Sequence, residues 1–269
     1  MEDQKYQRIM ARIDEHLSAV KAQYGDRWVG IFLYGSQNYG LDDERSDIDT
    51  KAIVLPSFSS FVSNAKPVST THVMENNEHV DIKDIRIMFD CIRKQNINFV
   101  EILFTRFFII NPVYADLFQP VLDSREEIAR YNNYAGMNCI MGMAYEKQKA
   151  MEHKYPSTAD KIAKYGYDPK QLHHILRLWW FMQSYVKGLA YADCLTVFPR
   201  MLLMDAKHGV FSLEEARDKV STYINDMRQC KKHYMGNVPL SINHHADDVL
   251  RTAAVEILKR SIRMEMEAS

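Results

Sequence analysis

The sequence predicts an α+β chain, with strands and helices mixed over residues 1–123 and helices alone over 124–269. Three observations carry this. Trp28–Tyr34 and the run from Thr50 to Leu55 are short, apolar and rich in aromatic and β-branched residues, so they read as buried strands. Ahead of them, residues 4–24 repeat Ile9, Ile13, Leu17 and Val20 at helical spacing and stop at Gly25. From Pro112 onward the pattern is almost wholly helical, and the change of character sets a boundary near Ser124.

The elements follow in order. Gly35 ends the first strand and lets the backbone turn. Residues 37–45 form a loop whose acids and Arg45 read as solvated, with Asn38 serving either a turn or a ligand. The second strand opens on Asp47-Ile48-Asp49. Residues 56–77 are loop-rich around a further strand over 68–74, and Asp81, alternating with Val80 and Ile82, lies on a short neighbouring strand. Asp84 reads as the cap of a helix over 85–93. Residues 99–104 and 107–110 are apolar core segments, residues 112–122 one helix, and residues 126–153 one long helix. Ser157-Thr158-Ala159-Asp160 has the spacing of a capping box, as does Ser212-Leu213-Glu214-Glu215, which opens a helix to about Tyr234. Between them, Asp168-Pro169 starts a helix that ends before Gly188, with Leu172, Leu176, Trp179, Met182 and Val186 as its core stripe. A last amphipathic helix carries Val249, Leu250, Ala253, Ile257 and Ile262.

Composition narrows the function classes. The 269 residues are 46% hydrophobic, enough for a packed core, and the net charge of −1 gives no bulk field toward nucleic acid or membrane. The four cysteines are scattered, with no Cys-x-x-Cys pair, which argues against zinc and for the reduced thiols of a cytoplasmic protein. The charged N-terminus is unlike a secretory leader, and no apolar run reaches the ~18 residues that a membrane span needs.

The chemistry concentrates around the first two strands. Strand side chains alternate in direction, so Asp47 and Asp49 share a face, where like charges repel unless a cation lies between them. Oxygen ligands of this kind suit Mg²⁺ or Mn²⁺. With Asp81 as a third carboxylate, two ions about 4 Å apart can clamp the attacking and leaving oxygens of a phosphoryl transfer. Glu78 and Asp84 are rivals for the third place, and a turn or capping pair is the bland reading of Asp47 and Asp49. Gly35 and Ser36 can offer N–H groups and a hydroxyl to a triphosphate. Lys83, two residues beyond Asp81, either neutralises phosphate or pairs with an aspartate. Farther on, Lys161, Lys164, Lys170, His173 and Arg177 fall within one helical hairpin, either a cationic wall for phosphates or a solvated face. His174 reads as packing, and zinc at His173-His174 or His244-His245 lacks further ligands.

Gly35-Ser36, a loop, Asp47-Ile48-Asp49 and a lone carboxylate on a later strand resemble the DNA polymerase β-like nucleotidyltransferase superfamily. The longer string from Tyr34 through Asn38, Tyr39 and Gly40 to Asp49, together with residues 161–170, His173 and Arg177, resembles its RNA repair pathway branch, the RlaP family. The likeness runs from about Trp28 to Lys187. It implies a small mixed sheet flanked by helices over 1–123, followed by a helical domain over 124–269. It also implies a Mg²⁺-dependent transfer of a nucleotide from an NTP, with release of pyrophosphate. Asp47, Asp49 and Asp81 would hold two ions, Gly35 and Ser36 the phosphates, and Lys164, His173 and Arg177 the leaving charge. An RNA end is the acceptor the likeness suggests. The alternatives are nucleotidylylation of a protein or tRNA, as in toxin–antitoxin relatives, and a non-catalytic nucleotide-binding module. Asn98 and Glu101 match a family Asn and Glu, and a structural role is the default for both.

Overall fold

The computed structural model describes residues 2–43 and 46–268; the loop charges Glu44 and Arg45 lie outside the described residues. The chain divides into two compact units, residues 1–131 with 243–269, and residues 132–242.

The first unit runs α1 (Glu2–Tyr24), β1 (Trp28–Tyr34), α2 (Ser36–Tyr39), β2 (Asp49–Val54), α3 (Phe58–Val62), β3 (Ser69–Val73) and β4 (His79–Asp84). It continues through α4 (Ile85–Arg93), α5 (Ile97–Val100), β5 (Phe108–Ile110), α6 (Ala115–Asp123) and α7 (Arg125–Ala129). The second unit holds α8 (Asn133–Met151), α9 (Ala159–Tyr165), α10 (Pro169–Val186), α11 (Tyr191–Thr196), α12 (Arg200–Lys207) and α13 (Leu213–Asn237). The last helix, α14 (His244–Glu267), belongs to the first unit.

The five strands form one mixed sheet in the order β3-β4-β2-β1-β5. β1 pairs antiparallel with β2 and β5, β4 antiparallel with β3, and β2 parallel with β4. The alternation read from the sequence decides its two faces. Ile31, Leu33, Ala52, Val54, Val80 and Ile82 turn to Ile9, Ile13, Leu17 and Val20 of α1, and all are buried. Each of these valine, leucine and isoleucine side chains contributes roughly 1.5–3 kcal/mol by leaving water. On the opposite face Phe32 meets Phe108 and Phe118, and Phe118 meets Phe89 of α4. That face is apolar under the helices and polar toward the end where β1 finishes and β2 begins.

Most local starts and stops follow the sequence. Gly25 takes a left-handed conformation after α1. Asp84 caps α4 by accepting the Arg86 N–H, Asp168 caps α10 with Pro169 behind it, and Ser212 and Glu215 complete their capping box. Three expectations are corrected. The single helix over 126–153 is two, broken at residues 130–132, where the Asn132 side chain accepts the Ala135 N–H and restarts the helix as α8. This break, rather than Ser124, divides the chain. The helical half is not one continuous domain either, because α14 joins the first unit through Arg93–Asp247 and Arg260–Asp116 ion pairs. At α9 no capping box forms: the Thr158 hydroxyl turns back to the backbone of Tyr155 and His153.

In the second unit α10 is central, packing on α8, α11, α12 and α13. Leu172, Leu176 and Met182 are buried as expected, joined by Ile175, Leu178, Phe181 and Tyr185, while Trp179 and Val186 are half-buried. The short helices α11 and α12 have no clear signal in the sequence. No helix among the described residues is long and apolar enough to cross a membrane.

Candidate functional site

The register of the sheet brings the candidate residues of the first unit onto one face. Tyr34 stands opposite Asp49 and Phe32 opposite Lys51, while across the parallel pair Lys51 stands opposite Asp81. Because side chains alternate, Tyr34, Asp49, Lys51, His79, Asp81 and Lys83 all project the same way. Asp81 lies on the strand beside β2, as its alternation with Val80 and Ile82 requires.

Asp81 is the electrostatic centre of this face. Its Oδ2 accepts from Lys51 Nζ at 2.9 Å, and its Oδ1 pairs with Lys83 Nζ at 2.9 Å. Of the two readings of Lys83, pairing with an aspartate is the one found; the same ammonium reaches Ser69 Oγ at 3.0 Å. Lys51 is only 4% exposed, and its Nζ lies 3.9 Å from the centre of the Tyr34 ring and 4.3 Å from that of Phe99. Burial pushes its pKa down, opposed by the Asp81 carboxylate. Two aromatic faces and one carboxylate thus replace the water a lysine ordinarily keeps.

Asp49 opens β2 and accepts the His79 backbone N–H at 2.8 Å, with the His79 ring at 3.3 Å. Asp47 departs from expectation: it precedes the strand and is exposed, because regular pairing of β2 begins only at Asp49. The Tyr34 hydroxyl reports how much negative charge gathers here. Its pKa is raised first by burial, then by Asp49, Asp81 and Glu101. Glu101, buried at the end of α5, therefore belongs to this neighbourhood.

The donor chemistry is that of a hard cation, oxygen from carboxylates on one sheet face. The expectation that three carboxylates stand together as a ligand set is not met: among the described residues no group of three or more His, Cys, Asp or Glu could hold a metal ion. The physical reason is local, since Asp81 is engaged by two ammonium groups, Asp49 by an N–H, and Asp47 faces solvent. The fit thus lies in donor type and in the strand positions of Asp49 and Asp81, with the side chains held by other partners.

Gly35 and Ser36 sit at the end of β1, next to Asp49. Gly35 has φ 89° and ψ −155°, a conformation open to glycine alone at low cost. Asn38 takes the turn role, donating to Leu33 O at 3.0 Å and accepting from Thr105 Oγ1 at 2.7 Å.

Behind this face, on the α1 side, lies a buried polar chain that the sequence did not reveal. His16 is fully buried; its Nδ1 is 2.9 Å from Thr50 Oγ1 and its Nε2 3.1 Å from Glu78 Oε2. Burial pushes the His16 pKa down. Arg12 donates twice to the same Glu78 oxygen, at 2.9 and 2.7 Å. The other Glu78 oxygen accepts the Ile48 N–H at 3.3 Å. Burial raises the Glu78 pKa, but hydrogen bonds from Asn76, Arg12 and Ile48 outweigh it and hold the carboxyl below its ordinary value. Glu78 is thus a structural acid rather than a rival third ligand, and Asp84, tied to Arg86 in its cap, is likewise excluded.

The cations expected to hold phosphate lie in the second unit, where the structure separates them by role. Lys164 is exposed at the end of α9, with its ammonium 4.8 Å from the Tyr165 ring centre. Arg177 is half-buried on α10. His173 is corrected: it is 4% exposed, its Nδ1 lies 2.8 Å from Leu203 O, and burial, reinforced by Arg177, Lys207 and Lys170, pushes its pKa down to about 4. A neutral, enclosed imidazole bonded to a carbonyl is a packing element, not a phosphate ligand. Desolvation by packed neighbours puts His174 well below the ordinary value too, with His173, Arg177, Lys170 and Lys147 adding to the effect. The cationic group of this unit is therefore Lys147, Lys170, Arg177 and Lys207 around two neutral histidines. Lys161 lies 3.7 Å from Asp168. Compared with models of known protein families and with curated proteins, the chain matches none.

Proposed function

We propose that this chain is a metal-dependent nucleotidyltransferase of the DNA polymerase β-like kind, moving an NMP from an NTP to an acceptor and releasing pyrophosphate. The observation that carries the reading is the shared, polar end of one sheet face: Asp49 and Asp81 on adjacent parallel strands, beside a left-handed glycine and serine at the end of β1. This is where a triphosphate can meet carboxylates without entering the apolar core.

In this reading Asp47, Asp49 and Asp81 would hold magnesium, which supplies charge neutralisation and Lewis acidity when bound. The chain's own residues do the rest. The Gly35-Ser36 turn offers the phosphates an uncluttered backbone, since nothing stands within 4 Å of where a Gly35 Cβ would be. Lys51 and Lys83 supply fixed positive charge beside Asp81, so the site is not a bare cluster of anions. Asp81 would accept the proton of an attacking hydroxyl once its oxygens exchange ammonium for substrate. An RNA end is the proposed acceptor. With a net charge of −1, such contact must come from local cations.

The experiment is transfer of labelled nucleotide from each NTP to a panel of RNA and DNA ends, and to a cell lysate, with Asp49→Ala as control. Label on RNA, lost in an Asp49→Ala protein of native stability, supports the proposal. Label on protein redirects the acceptor. An active Asp49→Ala protein refutes the carboxylate assignment.

A further inference from the structure

Three consecutive residues of the acidic segment are tied from behind. Ile48 gives its N–H to Glu78 Oε1, Asp49 takes the His79 N–H on its carboxylate, and Thr50 gives its hydroxyl to His16. The partners are themselves adjacent: Glu78 and His79 are consecutive, and His16 bonds Glu78 as well as Thr50. Ile48 stands between the two aspartates and ahead of the regular ladder of β2, so no strand neighbour takes its N–H. The direction of Asp47, exposed and outside the strand, passes through this one peptide.

We propose that Glu78 is a positioning residue that sets the Asp47–Asp49 segment, with Arg12 and His16 of α1 holding its carboxylate in place. Three donors converge on Oε2, two from Arg12 and one from His16, while Oε1 takes the Ile48 N–H, and the Asn76 side chain also bonds the carboxylate. That division is what a clamp requires: one oxygen is anchored to a helix already packed under the sheet, the other fixes the chain that carries the acids. Its functional meaning rests on the nucleotidyltransfer reading; its structural meaning does not. Residues of this kind behind a site typically change metal affinity or activity 10–100-fold when removed.

The test is Glu78→Gln, read by amide hydrogen exchange and by Mn²⁺ binding to the full chain. The amide keeps one acceptor oxygen; with that oxygen turned to the Arg12 and His16 donors, an NH2 group faces the Ile48 N–H, which loses its acceptor. The expected result is exchange at Ile48 and His79 faster by at least about tenfold while Ala52 and Ile82 keep their rates, with Mn²⁺ affinity lower by about 10–100-fold. Unchanged exchange at Ile48 overturns the proposal, and so does a uniform acceleration through the sheet, which marks a residue that only stabilises. If the unaltered protein neither binds Mn²⁺ nor transfers nucleotide, the nucleotidyltransfer reading fails, and exchange at Ile48 still decides the clamp. Should Glu78→Gln not fold, Arg12→Gln removes two of the three anchoring bonds from a partly exposed position and gives the same comparison.

Discussion

Acidification separates two roles for His173. A histidine that holds phosphate by charge titrates above its ordinary value, and one buried as a neutral ring titrates below it. His173 lies in the second class, with its pKa lowered from 6.5 to about 4 by burial. The gap of about 2.5 units, at about 1.36 kcal/mol each, amounts to about 3 kcal/mol. The unfolded chain takes up the proton near pH 6.5 and the folded chain only near pH 4. Stability from the neutral ring is therefore complete above pH 6.5 and lost as the pH falls from there to about 4. Imidazole NMR gives the pKa directly. Urea unfolding followed by the emission of Trp179 and Trp180, both in the second unit, gives the stability between pH 7.5 and 4.5. His173→Gln removes the titration, and the difference in pH slope between it and the parent isolates this residue from His174. A His173 midpoint at or above the ordinary value, or equal slopes in the two proteins, refutes the burial argument and restores His173 as a phosphate ligand.

Other perturbations test other links. Gly35→Ala forces a side chain into a region of backbone space open almost to glycine alone, at φ 89° and ψ −155°, and costs roughly 1–3 kcal/mol, read by thermal unfolding. Because the turn abuts Asp49, transfer should fall further than stability alone explains. Ser212→Ala removes the hydroxyl that accepts the Glu215 N–H, one half of the capping box at α13, and costs about 1 kcal/mol in chemical unfolding, with no effect on transfer.

The fold was legible where periodicity and punctuation agree. The strand over Trp28–Tyr34, the stripe of Ile9, Ile13, Leu17 and Val20, and the Asp168-Pro169 start each combine an apolar pattern with a stop or cap. The break before α8 was not legible, because residues 130–132 contain neither proline nor glycine and the apolar spacing runs through them. Only the Asn132 side chain marks the restart, and asparagine inside a helical pattern is a weak signal. The return of α14 to the first unit is equally hidden, since amphipathic spacing says that a helix has a buried face and nothing about what covers it.

The site divides along the same line. Asp49 and Asp81 could be placed on one face from strand alternation alone, because that depends on a period of two and on nothing distant. What holds them could not. Lys51 reads in the sequence as a lone charge in an apolar strand, and its meaning depends on Tyr34 and Phe99 arriving from β1 and α5. Glu78 reads as a rival third carboxylate until α1 delivers Arg12 and His16 from more than sixty residues away in the chain. The arrangement has a consequence for the charge balance. Lys51 is desolvated by its neighbours and compensated by Asp81, so removing that carboxylate strands a buried ammonium, which costs far more than a surface pair contributes. Loss of activity on substituting Asp81 would then mix chemistry with stability. Asp49, bonded to the backbone N–H of the partly exposed His79 rather than to a buried cation, is the cleaner probe of transfer, and for that reason it carries the functional test.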